Sequence, residues 1–279
     1  MDWTRPFFLR AADSEARAVL LVHGFTGSPY ELHLLAQQLH DEGRGFHCAV
    51  PLLAGHHKSL AELAATGWRD WLKSADAALH ELWHDVERTA KTPRLAVVGL
   101  SMGGLLALEL ARRYPAEGKL GQPAISTLCV LASPLFLPPA QTRAIRRLNR
   151  TPLLRRLAVP KLFGADLRER NRPQPPLRPR AMPLSSLGSL LELMDEVRGH
   201  LPEVRQPIFI SHGKKDHTAP YESMTAIAKG LGTPPEQLRC LALPRSYHLI
   251  PLDVEREILF AEVRAHLERY LLAPEGGSR

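Results

Sequence analysis

The sequence predicts an α/β protein with a mostly parallel central sheet, helices on both faces of that sheet, and an inserted cap. Short apolar runs alternate with segments of helical periodicity along most of the chain, as in strands joined by crossover helices. The alternation stops between residues 134 and 205 and then resumes. Since 279 residues with 44% hydrophobic composition can bury one large core, we expect a core of residues 1–133 and 206–279 and a cap of residues 134–205.

Four strands and three helices are predicted in the first part of the chain. The strands are short apolar runs that end near glycine or proline; they span residues 6–10, 18–22, 46–50 and 95–98. The first helix has Ser28 or Thr26 as its expected N-cap and Pro29 in its first turn. The other two helices carry apolar side chains at helical spacing; they span residues 68–86 and 105–111. Residues 51–67 are predicted to form a loop.

The regular order breaks after a strand at residues 125–131. Pro134 opens a stretch without strand–helix alternation, in which residues 171–183 are rich in proline and residues 184–197 have a helical pattern. Alternation then resumes with a strand, a helix, a strand and a long helix; these span residues 208–211, 221–229, 238–243 and 254–272. Asp253 is the expected cap of the last helix. Because the insert follows the carboxyl end of a strand, it is expected to cover the crevice at that edge of the sheet.

The positive charge of the chain is concentrated in the insert. Between residues 141 and 180, eleven arginines and Lys161 are opposed only by Asp166 and Glu169, a balance of +10. Because the whole chain has a net charge of +7, the remaining residues carry −3. No aromatic interleaving or recognition motif accompanies the arginines, so we expect no nucleic-acid partner.

The basic part of the insert has two interpretations. Ile145, Leu148 and residues 153–157 are interleaved with arginines, as in a helix that lies on an anionic lipid surface, although Pro152 interrupts the pattern. The simpler interpretation is a solvated basic face. Apolar residues of the insert are also candidates for the lining of an acyl pocket; they are Leu135, Phe136, Leu137, Ile145, Leu148, Leu153, Leu154, Leu157, Leu162 and Phe163.

The cysteines, the histidines and the N-terminus exclude several classes of protein. Cys48, Cys129 and Cys240 lie in predicted strands at wide spacing, so we expect buried reduced thiols without disulfides or a zinc site. The adjacent histidines His56 and His57 have no partners at metal-ligand spacing, and we expect no metal and no cofactor. Since no apolar run has the length of a signal peptide or a membrane span, a soluble cytoplasmic protein is expected.

A strand that turns sharply into a helix at Ser101 is the feature around which the chain is organised. Gly99 and Gly103 lie two residues before and two residues after this serine. Glycine at these positions removes the Cβ atoms that would collide where strand and helix approach each other. The serine is then able to hold a strained backbone conformation with its hydroxyl exposed. Ser101 is therefore the candidate nucleophile.

A serine hydroxyl becomes a good nucleophile only when a base removes its proton, and histidine has a suitable pKa for this role. In a sheet of this kind an acid and then a histidine are expected after the serine, each just beyond a strand. Asp216 follows the strand at residues 208–211, and His248 follows the strand at residues 238–243. Asp216 is the candidate acid and His248 the candidate base. The competing carboxylates are Asp166, Asp195 and Asp253, and the rival base is His217.

The negative oxygen that forms during attack by Ser101 needs fixed N–H donors. Met102, the residue after the nucleophile, supplies one backbone donor at a helix N-terminus. The second donor is expected from the loop after the strand at residues 18–22, and we assign it to Phe25, with Thr26 as the alternative. His212, in contrast, is assigned to the turn that follows its strand.

These motifs resemble those of the α/β-hydrolase superfamily, and within it the small bacterial carboxylesterases and monoacylglycerol lipases. That group carries an H-G-F-T-G-x-P loop, a G-L-S-M-G-G turn, an H-G-x-x-D loop and a late histidine. The corresponding positions here are residues 23–29, 99–104 and 212–216 and His248. The similarity covers roughly residues 15–133 and 205–272 and covers the insert poorly, because its arginines and its proline-rich stretch differ from the compact helical caps of that group.

The resemblance implies an α/β-hydrolase fold and a serine carboxylic-ester hydrolase. Such an enzyme would act through a Ser-Asp-His triad and an acyl-enzyme on small-molecule substrates, namely short to medium acyl esters or monoacylglycerols. A thioesterase or a C–C bond hydrolase would use the same triad and is the alternative. A non-catalytic binding member of the fold is less favoured, because all three triad positions are filled.

Overall fold

A seven-stranded sheet lies at the centre of the computed structural model, which describes residues 2–11, 17–41, 45–88, 93–118, 121–161, 165–169 and 179–271. The strands of this described part are β1 (Phe7–Leu9), β2 (Arg17–Val22), β3 (His47–Val50), β4 (Arg94–Leu100), β5 (Ile125–Leu131), β6 (Ala158–Pro160), β7 (Ala181–Pro183), β8 (Ile208–Gly213) and β9 (Leu238–Leu243). The sheet contains all of them except β6 and β7, which pair with each other as an antiparallel hairpin.

Helices of the described ranges surround the sheet. They are α1 (His33–Asp41), α2 (Leu60–Ala64), α3 (Trp68–Glu87), α4 (Met102–Arg113), α5 (Pro139–Asn149), α6 (Leu184–His200), α7 (Glu222–Gly230) and α8 (Arg256–Leu271). Short 3₁₀ turns lie at Pro29–Leu32, Leu154–Arg156, Leu201–Glu203, Pro235–Gln237 and Ile250–Leu252. Within these ranges, none of the helices has both the length and the apolar character needed to cross a bilayer. The cytoplasmic location stays a prediction.

The strand order β1-β3-β2-β4-β5-β8-β9 places a change of winding direction between β2 and β4. The strand β3 follows β2 on one side, whereas β4 pairs with β2 on the other side. Only β1 is antiparallel to its neighbour, so the carboxyl ends of the other six strands share one edge. In an open parallel sheet, the ligand crevice lies beyond this edge, at the point where the winding reverses.

Alternate residues of each central strand point into two apolar clusters on opposite faces of the sheet. In β2, Leu20 and Val22 belong to the cluster that contains α3 and α4, whereas Val19 and Leu21 belong to the cluster that contains α1 and α8. This alternation follows from the two-residue period of a strand. The predicted parallel α/β sheet with helices on both faces is confirmed, and it is the architecture of an α/β hydrolase.

The two helices described in the insert, α5 and α6, differ in how deeply they are buried. In α6, Leu190, Leu193, Met194 and Val197 are buried in the cluster that also contains α3 and α4. In α5, by contrast, no residue is buried, and three of its eleven residues are arginines. The insert therefore has a well-anchored second half and a more exposed first half. The cap boundaries at residues 134 and 205 stay a prediction.

The prediction of a loop over residues 51–67 is wrong in one part, since α2 lies within it. The Ser59 side chain accepts a hydrogen bond from the Glu62 amide at 3.2 Å, and the Glu62 carboxylate accepts one from the Ser59 amide at 3.0 Å. This reciprocal pair is a capping box, which satisfies two amides that a helix N-terminus leaves without partners. The S-x-x-E pattern that signals it is present in the sequence.

Two smaller expectations also need correction. Cys48 and Cys129 are buried, and burial raises the pKa of both thiols, but Cys240 is exposed because β9 is an edge strand. The first helix begins with a 3₁₀ turn at Pro29, and the Ser28 side chain makes no capping hydrogen bond. The Thr26 hydroxyl instead donates to the Phe25 carbonyl at 2.6 Å.

Candidate active site

Ser101 occupies a sharp turn between the last residue of β4 and the first residue of α4. Its backbone has φ 56° and ψ −122°, a strained conformation for a residue with a side chain. A Cβ atom on Gly99 would lie 2.2 Å from the Gly103 carbonyl oxygen, and one on Gly103 would lie 2.0 Å from the Val22 carbonyl oxygen. The two glycines are therefore required by close backbone approach, as the sequence predicted.

The three predicted triad side chains lie together at the carboxyl edge of the sheet. His248 Nε2 is 3.0 Å from Ser101 Oγ, and His248 Nδ1 is 2.7 Å from Asp216 Oδ2. Ser101 and His248 are buried but for a small exposed fraction. Because a carboxylate only accepts, the Nδ1–H of His248 donates to Asp216 and leaves Nε2 to accept from the serine hydroxyl. The arrangement is a continuous relay from hydroxyl to imidazole to carboxylate.

Burial and charge act in opposite directions on the two titratable members of this relay. Burial by itself lowers the pKa of His248, but the charge and hydrogen bond of Asp216, with the charges of Asp166 and Glu31, raise this pKa above its ordinary value. Burial by itself raises the pKa of Asp216, but the His248 charge and hydrogen bonds from His212 and His248 hold it well below its usual range. Asp216 is therefore ionised, and the imidazolium form of His248 is stabilised.

A second imidazole, that of His212, contacts the same carboxylate. Asp216 Oδ1 accepts from the amides of Thr218 at 2.8 Å and Ala219 at 2.7 Å, and His212 Nε2 lies 3.0 Å from Asp216 Oδ2. His212 is almost fully buried at the end of β8. The sequence places this histidine in the turn, whereas the structure places it in β8 and in contact with the acid. The spacing of four residues between His212 and Asp216 was the sequence feature that could have indicated this contact.

The loop that follows β2, residues 23–27, lies beside the nucleophile. A Cβ atom on Gly24 would be 3.2 Å from Ser101 Cβ, so the neighbouring Phe25 amide belongs to the immediate surroundings of the serine. Met102 opens α4, and the first amides of a helix have no intrahelical acceptor. Thr26 has φ 60° and uses its hydroxyl within the loop, as described above. Phe25 and Met102 stay the predicted donors, with the Thr26 amide as the alternative to Phe25.

Two buried side chains that sequence reasoning missed hold the 23–27 loop. Glu31 accepts a hydrogen bond from the Gly24 amide at 3.1 Å, and a Cβ atom on Gly27 would lie only 2.2 Å from its carboxylate. His23 Nδ1 lies 2.9 Å from the Gly24 carbonyl oxygen, and its Nε2 accepts from the Leu53 amide at 3.1 Å. Burial raises the pKa of the Glu31 carboxyl. Burial, together with the charge of His56, lowers the pKa of His23 well below its ordinary value.

The rival residues lie in other contacts. His217 pairs with Asp166, with Nδ1 3.0 Å from Oδ1, and its side chain is 65% exposed. Asp195 pairs with Arg146 and Arg198 on the insert. Among the described contacts, neither His217 nor Asp195 joins the relay of Ser101.

Asp253 was expected to cap the last helix, and this expectation is wrong. The helix α8 begins three residues later, at Arg256. The Asp253 carboxylate is fully buried and accepts from the amides of Arg168 at 3.0 Å, Glu169 at 3.1 Å, Tyr247 at 2.7 Å and Val254 at 2.9 Å. Two of these amides, those of Arg168 and Glu169, are more than 80 residues away in sequence. The position of Asp253 just before a predicted helix was therefore misleading evidence for its role.

The apolar residues proposed for an acyl pocket do not share one environment. Leu135 is buried in the core, and Phe136, Leu137 and Ile145 pack against the same cluster. Leu153 and Leu157 are 73% and 54% exposed, so more than half of each residue is in contact with solvent. Leu162 and Phe163 lie outside the described residues.

Comparison with known proteins gives similarity along nearly the whole chain. The family model described as serine aminopeptidase S33 matches residues 13–255. A carboxylesterase of Bacillus subtilis is 26% identical over 267 residues, covering 95% of this chain and 96% of that protein. A thermostable monoacylglycerol lipase of Bacillus sp. strain H-257 is 27% identical over 266 residues, covering 93% of this chain and 92% of that protein.

Solved structures share the fold. A structure of the metagenome-derived lipolytic enzymes LipS and LipT superposes with a TM-score of 0.80 at 25% identity, covering 96% of this chain and 99% of that one. A soluble variant of monoglyceride lipase from Saccharomyces cerevisiae gives a TM-score of 0.75 at 14% identity, covering 95% and 91% of the two chains. At this lower identity the likeness concerns the fold alone.

Proposed function

This chain belongs to the serine aminopeptidase S33 family of α/β hydrolases, and we propose that it cleaves carboxylic esters through Ser101, His248 and Asp216 by way of an acyl-enzyme. It is a serine ester hydrolase of the carboxylesterase and monoacylglycerol lipase kind. The observation that carries the proposed mechanism is the position of His248, 3.0 Å from the serine hydroxyl and 2.7 Å from the carboxylate.

In the proposed reaction, Ser101 Oγ attacks the ester carbonyl carbon while His248 Nε2 takes the hydroxyl proton. The amides of Phe25 and Met102 stabilise the negative oxygen of the tetrahedral intermediate. Its collapse breaks the C–O bond to the alcohol, which leaves with the proton from His248, and the acyl group stays on Ser101. Water then attacks the acyl-enzyme with His248 as base, and the carboxylic acid is released. Asp216 orients the imidazole and stabilises its cation.

The substrate class we propose is short to medium acyl esters or monoacylglycerols. Its support is the similarity to a carboxylesterase and to a monoacylglycerol lipase along more than nine-tenths of the chain. We further propose that the exposed first half of the insert covers the crevice. Lys161, just after β6, donates a hydrogen bond from Nζ to Thr26 Oγ1 in the 23–27 loop, so the insert reaches the site directly.

A substrate panel tests this proposal. We expect the highest kcat/KM for p-nitrophenyl esters or monoacylglycerols of short to medium acyl length, with lower values toward palmitate. The matched comparison is the thioester of the best acyl chain at the same concentration. A higher kcat/KM for the thioester would favour the thioesterase alternative. If the protein hydrolyses no member of the panel and is not labelled by a serine-directed phosphonate, it would be a binding protein.

The exposed part of the insert also supports a proposal about its partner, an anionic lipid surface. The large hydrophobic residues with more than a third of their surface exposed in the described ranges are Leu153, Leu157, Val159 and Ile258. The first three lie within seven residues of each other, beside the exposed side chains of Arg150, Arg155 and Arg156. Apolar side chains between arginines fit the boundary between acyl chains and anionic headgroups.

We expect the protein to sediment with vesicles that contain about 30% phosphatidylserine and to release as salt rises, because salt screens the arginine contacts. The double substitution Leu153→Ser and Leu157→Ser should abolish this binding. Ile258→Ser is the matched control, since Ile258 is 50% exposed and lies on α8. Equal binding to neutral vesicles at all salt concentrations, or equal loss in the control, would contradict the lipid proposal.

A further inference from the structure

A short segment of the insert, residues 165–169, lies between the loops that carry Asp216 and His248. On the side of the acid, the Asp166 carboxylate accepts from the His217 amide at 2.9 Å and from the Thr218 hydroxyl at 3.0 Å, and its other oxygen is 3.0 Å from His217 Nδ1. His217 and Thr218 directly follow Asp216. The segment therefore fixes the backbone next to the acid.

The same segment binds the backbone on both sides of His248. The Asp166 carbonyl accepts from the Leu249 amide at 3.1 Å. The buried Asp253 carboxylate accepts from the Tyr247 amide and from the amides of Arg168 and Glu169. The Asp253 carboxylate thus links Tyr247, the residue before His248, to the insert. The Asp166 carbonyl links Leu249, the residue after His248, to the insert.

Because they are buried, these hydrogen bonds restrict the movement of the 165–169 segment and of the loop that carries His248. A fully buried carboxylate is costly unless its oxygens are hydrogen-bonded, and four amides surround that of Asp253. Leu167 is buried in the cluster that also contains Leu249 and Ile250. Arg256 Nη1 lies 2.8 Å from Glu169 Oε2 and closes the far end of the segment.

From this geometry, and on the premise of the proposed esterase function, we propose that residues 165–169 and Asp253 form a clamp that positions Asp216 and His248 over Ser101. Asp166 and Asp253 are the positioning residues of this clamp. The insert then contributes to the rate of the chemical step as well as covering the crevice. This follows because the acid and the base stand on loops, where no regular strand or helix hydrogen-bonding pattern fixes the backbone. The charge of Asp166 also supports the raised pKa of His248, beside the larger effect of Asp216 and together with that of Glu31.

The test compares Asp166→Ala with Asp195→Ala. Asp195 is a matched control, because it is a carboxylate of the insert that pairs with two arginines and has a side chain 43% exposed. For a small p-nitrophenyl ester, we expect Asp166→Ala to lower kcat about tenfold with KM within about twofold, since several hydrogen bonds to a charged group are lost. Asp166→Asn should recover part of the loss, and Asp195→Ala should match the wild type.

Hydrogen exchange gives a readout that does not depend on activity. In Asp166→Ala, peptides that contain residues 216–219 and 247–250 should exchange faster, and in Asp195→Ala they should not change. Asp253→Asn should have a larger effect on both loops; if it fails to fold, Asp166→Ala carries the test alone. Unchanged exchange and kcat in a folded Asp166→Ala, or an equal loss in Asp195→Ala, would overturn the clamp. A wild type without esterase activity would instead refute the proposed function, while the exchange data still decide whether the segment holds the two loops.

Discussion

Replacing Ser101 by alanine is expected to lower kcat for ester hydrolysis by about four to six orders of magnitude, because the nucleophile of the proposed reaction is then absent. The remaining activity would come from substrate binding and the oxyanion donors. Since the substitution removes a single oxygen atom, the fold should persist, and KM measured on any residual turnover should change little. The measurement is kcat and KM on the best p-nitrophenyl ester of the panel.

The control for this variant is Ser185→Ala, which removes a hydroxyl that donates to the Ala64 carbonyl at 3.2 Å, away from the three triad residues. It should keep wild-type activity. A serine-directed phosphonate should label the wild type and Ser185→Ala, and should leave Ser101→Ala unlabelled. Near-normal hydrolysis by a folded Ser101→Ala enzyme would end the proposed mechanism.

Replacing His248 by alanine should lower kcat by about 10⁴-fold or more, because no other base is within reach of the serine hydroxyl among the described residues. The rival histidine gives the control. His217→Ala loses one exposed contact with Asp166, so its kcat should stay within about fivefold of the wild type. A larger loss in His217→Ala than in His248→Ala would exchange the two assignments.

The pH profile of the wild type gives a second test of His248. A protonated imidazole is unable to accept the serine proton, so kcat/KM should fall as pH decreases through the pKa of His248. Asp216 raises this pKa above its ordinary value of about 6.5, and the acid limb should therefore lie above pH 6.5. An acid limb well below pH 6 would show that the imidazole lacks the support of the carboxylate.

Most elements of the fold could be predicted because they depend on local patterns. Apolar runs bounded by glycine or proline located all seven strands of the described sheet, and β5 and β9 have the predicted bounds. The glycines around Ser101 predicted the turn because a Cβ atom at either position would collide with backbone. The short helix α2 was missed although its capping signal was present, because a segment of five residues is too short to show a helical period.

The residues of the candidate site likewise fall into those that the sequence predicted and those that it did not. Ser101, Asp216 and His248 were found because each follows a strand that ends at the same edge, and chain order restricts their roles. Glu31, His212 and Asp253 were missed or assigned another role. The sequence around each of them is ordinary for a surface turn or a helix end. Only its burial in the folded protein distinguishes it from a surface residue.

The primary structure is sufficient to specify the sheet, the strained serine and the order of its partners, because each depends on residues that are close neighbours in the chain. The tertiary structure decides which contacts hold the acid and the base in position beside Ser101. Asp253 accepts from the Arg168 amide, 85 residues away in sequence, and the His248 imidazole meets a serine 147 residues away. Such contacts carry no periodic pattern. The pKa values of His248 and Asp216 likewise depend on burial and on charges from separate segments, which exist only once those segments have packed together.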